Sequence, residues 1–354
     1  MRALVRIRRA YCPLPALPLA VVGAVLSAHA TAAPSPRTYI VCPAEKPASK
    51  CNFKGDTGIQ AAIDKATSGD TIQIKAGRYA PAAYREVVYK DFTVRTYLLV
   101  EGKALTITGE PGTILDGSTK LPTTALTIHN AEVTIKNLEI ANFRWDIQED
   151  EFYDGHGIFV IDARARIDNV TIRNVQKMAL TGRGDTLLDV SNLRILDGHV
   201  GLWLHESAYM RLTHSIIRGN ISGGIAAYDD SVAHISNCVF DANEDDGLYT
   251  EHRAAIYATN SLILRNKPIA VHAMNDSNIW VNYSVLFGNA ADEGAQDKAQ
   301  VHVGTGIIKG DPRVDANYNL LPDSPLKGKG DPDFGTPVGS PSEIGPSWVR
   351  PTHP

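Results

Sequence analysis

Asparagine returns down the middle of this chain at a nearly constant interval. Asn137, Asn169, Asn192, Asn237, Asn260 and Asn282 each sit between two short apolar stretches. The intervals are 32, 23, 45, 23 and 22 residues. The 45 divides into 22 and 23, with His214 standing where an Asn belongs, and the 32 is one period plus a loop of about ten residues. A second polar column, Asn142, Asn174, Asp197, Asn220, Asn243, Asn266 and Asn289, follows the first by five to seven residues. A fixed period in the twenties points to a solenoid. The segments between turns are short and rich in Val, Ile, Leu and Thr, so they read as strands.

Four units align from Gly157, Gly201, Gly224 and Gly247, with less regular ones from Ala125, Ala179 and Ile269. Each reads as one coil, pairing in parallel with its neighbours about 4.8 Å away. No coil can bury its apolar face alone, so the stack must share one core. The Asn columns are expected at the turns, where stacked amides donate to and accept from one another. Asn169, Asn192, Asn237, Asn260 and Asn282 are expected to stack at a single corner.

This pattern resembles the right-handed parallel β-helix of the pectate-lyase-like superfamily over roughly residues 52–325. The stretch TGIQAAIDKATSGDTIQIKAGRY is similar to the entry segment of many secreted β-helix enzymes, and NYNLLPDSPLKGKGDPD to the tail that closes many bacterial ones. Physically, Thr57 and Gln60 form a T-x-x-Q capping box. Ile59, Ala62, Ile63 and Ala66 make one apolar helical stripe. The fold expected is all-β: a right-handed parallel β-helix solenoid with an N-terminal capping α-helix.

The chain opens with a basic MRALVRIRRA, then an apolar run ending in the small residues Ala28, Ala30, Ala32 and Ala33. That is the pattern of a secretory leader over residues 1–33. A single β-helix domain over 34–327 and a Gly/Pro/Ser-rich tail over 328–354 follow. The apolar run is Pro-broken and too short to span a bilayer, so no stable membrane insertion is expected. Cys42 and Cys51 lie close together near the cap and are expected to pair in an oxidising compartment. Cys238 reads as a buried structural thiol. A net charge of −4 gives no nucleic-acid signal. The expected state is a monomer that is secreted or periplasmic.

Alternation within each coil separates inside from outside. After the initial Gly, the first and third residues point in: Leu202 and Leu204, Ile225 and Ala227, Leu248 and Thr250, Ile269 and Val271. The outward fourth positions then read Ile161, Gly182, His205, Tyr228, Glu251 and His272. The second positions read Phe159, Thr181, Trp203, Ala226, Tyr249 and Ala270. Arg183, Glu206, Asp229, Asp230, His252 and Arg253 follow along the same edge. Solvation alone does not require so many ionisable groups on neighbouring coils, and aromatic rings beside acids, bases and Arg suit a sugar ligand. The loop ANFRWDIQEDEFYDGHG, from Ala141 to Gly157, is the place where a long insertion would build one face. Gly155-His156-Gly157 and Asp245-Asp246 echo motifs of polygalacturonase-type hydrolases, but in the reverse chain order, and so do not carry that assignment.

Three functions fit. The first is a polysaccharide lyase that cleaves an acidic, uronate-containing polysaccharide by β-elimination. This needs a base, a proton donor and neutralisation of the carboxylate. His205 and Tyr228 suit base and acid, and Arg253 or Arg183 suits the carboxylate; Trp203, Tyr249, His272, Asp230 and His252 complete the binding surface. A Ca²⁺-assisted version would hold the metal on Asp229, Asp230 or Glu251, with Arg253 as base. The second is a glycoside hydrolase with Asp230 and Glu251 as paired carboxylates. The third is a non-catalytic β-helix that binds glycan or serves as a scaffold.

Overall fold

From Thr124 to Gly288 each coil makes three corners, and at every one of these a residue adopts a left-handed backbone. Asp162, Glu206, Asp229, His252 and Asn275 hold the first corner, at φ between 47° and 63°. Asn137, Asn169, Asn192, His214, Asn237, Asn260 and Tyr283 hold the second. Asn142, Asn174, Asp197, Gly219, Ala242, Arg265 and Gly288 open the third. Asn and Asp tolerate this conformation because their short polar side chains bond locally. The structure is a computed structural model describing residues 35–45, 50–149, 152–333 and 344–345. The expected leader over residues 1–33 lies outside the described residues, as do Asp150 and Glu151 of the long loop and most of the expected tail.

Straight runs between the corners stack into two sheets. One runs from Phe92–Glu101 through Thr124–His129, Ile158–Ile161, Met178–Arg183, Val200–Leu204, Ile225–Ala227, Leu248–Thr250 and Ile269–Ala273 to Ala291–Ala295. We call it the groove sheet. The other is bent at the second corner: residues 132–136 pair with 164–168, and residues 138–141 with 170–173, on either side of Asn137 and Asn169. The ladders between named strands are parallel except one, where Arg85–Tyr89 pairs antiparallel with Phe92–Glu101. Inward Ile, Leu, Val and Ala from all coils form one continuous core.

Two readings of the Asn columns are corrected. Asn282 is not in the second corner; it ends the strand Asn278–Asn282, and Tyr283 takes the left-handed position. That corner is also a backbone device more than an amide stack. Asn169 does donate to the Asn137 Oδ1 at 2.8 Å, but Asn192 donates to Asp168 and Asn237 to the Gly345 carbonyl. The true amide ladder lies one residue past the third corner. There Asn220 donates to Asn243 and Asn243 to Asn266, each at 2.9 Å, and Asn266 to Asn289 at 3.3 Å.

The helix Gly58–Lys65 buries Gly58, Ile59, Ala62 and Ile63 against the first coil. Thr57 makes no side-chain cap, so the capping box is not formed. Gln60 is used differently: its amide accepts from the Leu99 N–H at 2.7 Å and donates to the Leu99 carbonyl at 3.1 Å. It satisfies the open edge of the groove sheet as a further strand would. At the other end of the chain, Tyr318, Leu326 and Ile344 cover outward Ile216, Val239, Leu262 and Val285, giving the solenoid a second, external core. Among the described residues no helix is long and apolar enough to cross a membrane.

Cys42 and Cys51 are disulfide-bonded, with Cα atoms 5.8 Å apart, and Cys238 is a buried thiol that burial pushes up to about 12. The bridge joins residues nine apart in sequence. Cys51→Ser is therefore expected to lower unfolding stability by ~2–3 kcal/mol on the chain-entropy account. An unchanged urea midpoint would contradict this.

Candidate active-site groove

The outward face of the groove sheet carries two columns of side chains. Strand register puts Arg183, His205, Tyr228, Glu251 and Met274 in one, and Thr181, Trp203, Ala226, Tyr249 and His272 in the other. Two sequence expectations change. Gly182 pairs with Leu204 and points inward, so Arg183 is the outward residue of its coil. His272 pairs with Tyr249, not Glu251, so it belongs beside the aromatic column; Val271 and Ala273 are the inward pair. The last unit has Ala270 where earlier ones have Gly, which removes the mark that would set its register.

The rings pack on one another within a coil and from coil to coil. His205 and Tyr228 lie face to face at 4.5 Å with planes 15° apart, and Trp203 stacks on His205 at 5.6 Å. Tyr228 meets Tyr249 at 5.7 Å, and Tyr249 meets His272 at 5.4 Å. Either side of the His205–Tyr228 pair lies a cavity. The first, about 340 Å³, is bordered by Lys177, Arg183, Trp203 and His205, with Tyr153, His156 and Phe159 at its far end. The second, about 330 Å³, is bordered by Tyr228, Asp245, Asp246, Tyr249 and His272. The side wall of both comes from third-corner segments, the corner from which the long loop also leaves.

Electrostatics divide the groove. His205 Nδ1 lies 3.0 Å from the Asp229 Oδ2, a carboxylate that fixes the imidazole's orientation. Burial, then the Arg183 charge, lower the His205 pKa, and the Asp229 contact opposes them without reversing the shift. The ring is thus neutral near pH 7, with Nδ1 donating and Nε2 left as an acceptor. Burial and the nearby Glu251, Asp245 and Asp246 carboxylates push Tyr228 up to about 12, so it keeps its proton. His156 is buried and pushed down to about 3, first by burial and then by Lys177 and Arg183. In the second cavity His272 Nδ1 and Asp246 Oδ2 are 2.5 Å apart and both residues are buried. Burial raises the Asp246 carboxyl, and the bond to His272 opposes it.

Other expected site residues take different places. Tyr249 donates to the Glu251 Oε2 at 2.8 Å and Asn275 to its Oε1 at 3.0 Å, so Glu251 is a positioning partner for Tyr249. Asp230 and Arg253 form an exposed bidentate pair at 2.7 and 2.8 Å on the first corner and border neither cavity. His252 lies at the same corner, 3.4 Å from the Asp229 Oδ1. Asp229, Asp230 and Glu251 do not converge, and the described residues contain no group of three or more His, Cys, Asp or Glu arranged to hold a metal. They do not fit a Ca²⁺ centre.

Sequence reasoning missed Lys177 and the hairpin that ends the groove. Lys177 sits on a third-corner segment, where no period constrains a side chain. The hairpin was visible as the alternating REVVYKDFTVRTY around a Lys90-Asp91 turn.

A family model described as a right handed beta helix region matches residues 124–308. Pectate lyase PEL9 of Emericella nidulans is 28% identical over 134 residues, which are 36% of this chain and 31% of that protein. The match therefore spans about a third of the relative's length. Among solved structures, the PL6 family alginate lyase AlyGC superposes with a TM-score of 0.51 at 14% identity, over 77% of this chain and 40% of that one. Pectate lyase Pel9A gives a TM-score of 0.47 at 13% identity, over 88% and 96%. With parallel coils, a shared core and an N-terminal cap in place, the chain belongs to the right-handed β-helix family.

Proposed function

We propose that this protein is a secreted or periplasmic polysaccharide lyase that cleaves a uronate-containing polysaccharide by β-elimination. The observation that carries the reading is the His205–Tyr228 pair. A neutral imidazole held by Asp229 lies face to face with a phenol held protonated, beside a cavity bordered by two cations. His205 Nε2 takes the proton at C5 of the uronate, and Tyr228 gives one to the departing C4 oxygen. Arg183 and Lys177 offset the charge that builds on the carboxylate as C5 is deprotonated. The sequence likeness to a protein named as a pectate lyase supports this class of substrate.

The test is a panel of alginate, polygalacturonate, glycosaminoglycans and bacterial exopolysaccharides, read at the ultraviolet absorbance of unsaturated uronates. Absorbance growth on one polymer is expected. Reducing ends without absorbance would indicate hydrolysis, and neither signal on any polymer would leave a glycan-binding protein. Arg183→Gln is expected to lower kcat/KM by roughly 10²-fold, the scale of removing one charge-stabilising group. The carboxylate is met by cations, and among the described residues no group of three or more His, Cys, Asp or Glu is arranged to hold a metal, so EDTA is expected to leave the rate within about twofold. Loss of activity on chelation, restored by Ca²⁺, would overturn that assignment.

A further inference from the structure

Among the described residues the groove is closed at one end and runs at the other to an edge strand, and we propose that it engages polysaccharide by a chain end and releases one sugar per cycle. This rests on the lyase reading above.

Toward the N-terminus of the solenoid, the outward face of the groove sheet is roofed. Thr127, Phe159 and Ile161 point out of the coil but are fully buried. Their cover is the antiparallel hairpin of Arg85–Tyr89 and Phe92–Glu101, whose Val87, Tyr89, Phe92 and Val94 form a separate apolar cluster with Phe159 and Ile161. Tyr153 from the long loop stacks on Phe92 at 4.2 Å and meets the Phe159 edge at 6.1 Å.

The hairpin tip is held down. Tyr89 donates to the Glu206 Oε2 at 2.8 Å, and Lys90 Nζ lies 2.7 Å from the Glu206 Oε1. Burial alone would raise the Glu206 carboxyl. The bonds from Lys90 and Tyr89, with the charge of Arg183, outweigh it and keep Glu206 ionised. Arg183 joins the same knot, 4.8 Å over the Phe92 ring and 3.4 Å from Glu206. The residue that would meet a substrate carboxylate is therefore positioned by the wall itself. At the opposite end the sheet finishes on its edge strand, Ala291–Ala295.

The first cavity is thus a blind end. Its 340 Å³ is near the low end of the roughly 300–1,000 Å³ typical of small-molecule sites. That leaves room for one terminal sugar, its carboxylate on Arg183 and Lys177, with the rest of the chain passing Tyr228 toward Tyr249. His205 removes the C5 proton and the C5–H electron pair becomes the C4=C5 bond. The C4–O bond breaks, and the leaving oxygen keeps that pair and takes the Tyr228 proton. One unsaturated monosaccharide and a chain shortened by one residue result. His205 and Tyr228 are reset by exchanging a proton with solvent.

The experiment uses the full-length protein on whichever polymer gives absorbance, with products sized by mass spectrometry early in the reaction and viscosity followed in parallel. Unsaturated monosaccharide from the first time point, with viscosity nearly unchanged, is the expected result. A ladder of intermediate oligosaccharides with early viscosity loss would overturn chain-end action while leaving elimination standing. Absence of absorbance on every polymer would overturn both. In the double variant Tyr89→Phe/Lys90→Ala, the share of product longer than a monosaccharide is expected to rise at least about tenfold. A wild-type size distribution from that variant, with its fold intact by circular dichroism, would overturn the hairpin as the stop.

Discussion

His205→Ala is expected to lower kcat by roughly 10²–10⁴-fold, the usual contribution of a positioned general base, with no matching loss of stability. The side chain lies on the outer face of its strand, and the residues that fill the coil beneath it are Leu202 and Leu204. The pH profile separates a chemical role from a packing one. On the proposed elimination His205 acts only when neutral, and burial and Arg183 hold its pKa below the ordinary imidazole value. As pH falls, activity should therefore persist below about 6.5, where a free imidazole would already be half protonated. Tyr228 must be protonated, and a value of about 12 keeps it so through the alkaline range. Asp229→Asn should lower kcat while KM stays within about twofold, because the amide no longer fixes which ring nitrogen holds the proton. Full activity in both His205→Ala and Tyr228→Phe would sink the elimination assignment.

The largest stability effect is expected at Asn243. Its buried Oδ1 accepts from the Asn220 N–H at 3.1 Å and the Asn220 amide at 2.9 Å, while its own amide donates to Asn266 at 2.9 Å. Asn243→Ala leaves both Asn220 donors without a partner in the interior. At about 1–3 kcal/mol for each orphaned group, the expected loss is ~2–6 kcal/mol. Urea unfolding followed by circular dichroism measures it, and a loss under about 1 kcal/mol would contradict the ladder. Asn192 is the control. It holds a second-corner position at φ 53° and donates only to Asp168, so Asn192→Gly, which preserves that backbone freedom, should cost no more than about 1 kcal/mol.

Asn243 and Asn192 also mark how far the sequence could be read. The period counted the coils and located the corners because each coil meets the same geometric demand at the same place. It could not say what each Asn does there. Asn suits a left-handed corner and a buried amide ladder equally, and the two columns lie close enough for one alignment to merge them: Asn142 and Asn174 hold the corner, Asn220 and Asn243 the ladder. Inside and outside were legible from Gly201 to Thr250, where Gly marks each start. They slipped at Gly182 and His272, in the units where Ala replaces that Gly. The His205, Tyr228, Trp203 and Tyr249 cluster was readable from this alternation alone. Asp230 and Arg253 were misplaced because an edge and a face look alike without the corner angle. Lys177, Asp246 and the Tyr89–Lys90 tip sit on segments without repeat, and folding alone brings them to the groove.

The corners also differ in how they accept changes of length. The second is a single left-handed residue from Asn137 to Tyr283, with strand on both sides. An added residue there would turn every following side chain to the wrong face. The third corner spans three residues between Leu196 and Val200, four between Arg173 and Met178, and sixteen between Ala141 and Ile158. Coils on either side of the sixteen keep the same register. Insertions and deletions can therefore accumulate at this corner while the stack remains intact. Since those segments wall the groove, on the proposed lyase function a lineage built on this scaffold would change which glycan it accepts by editing loop length alone, and segments exchanged between relatives at this corner should transfer preference without refolding the coils.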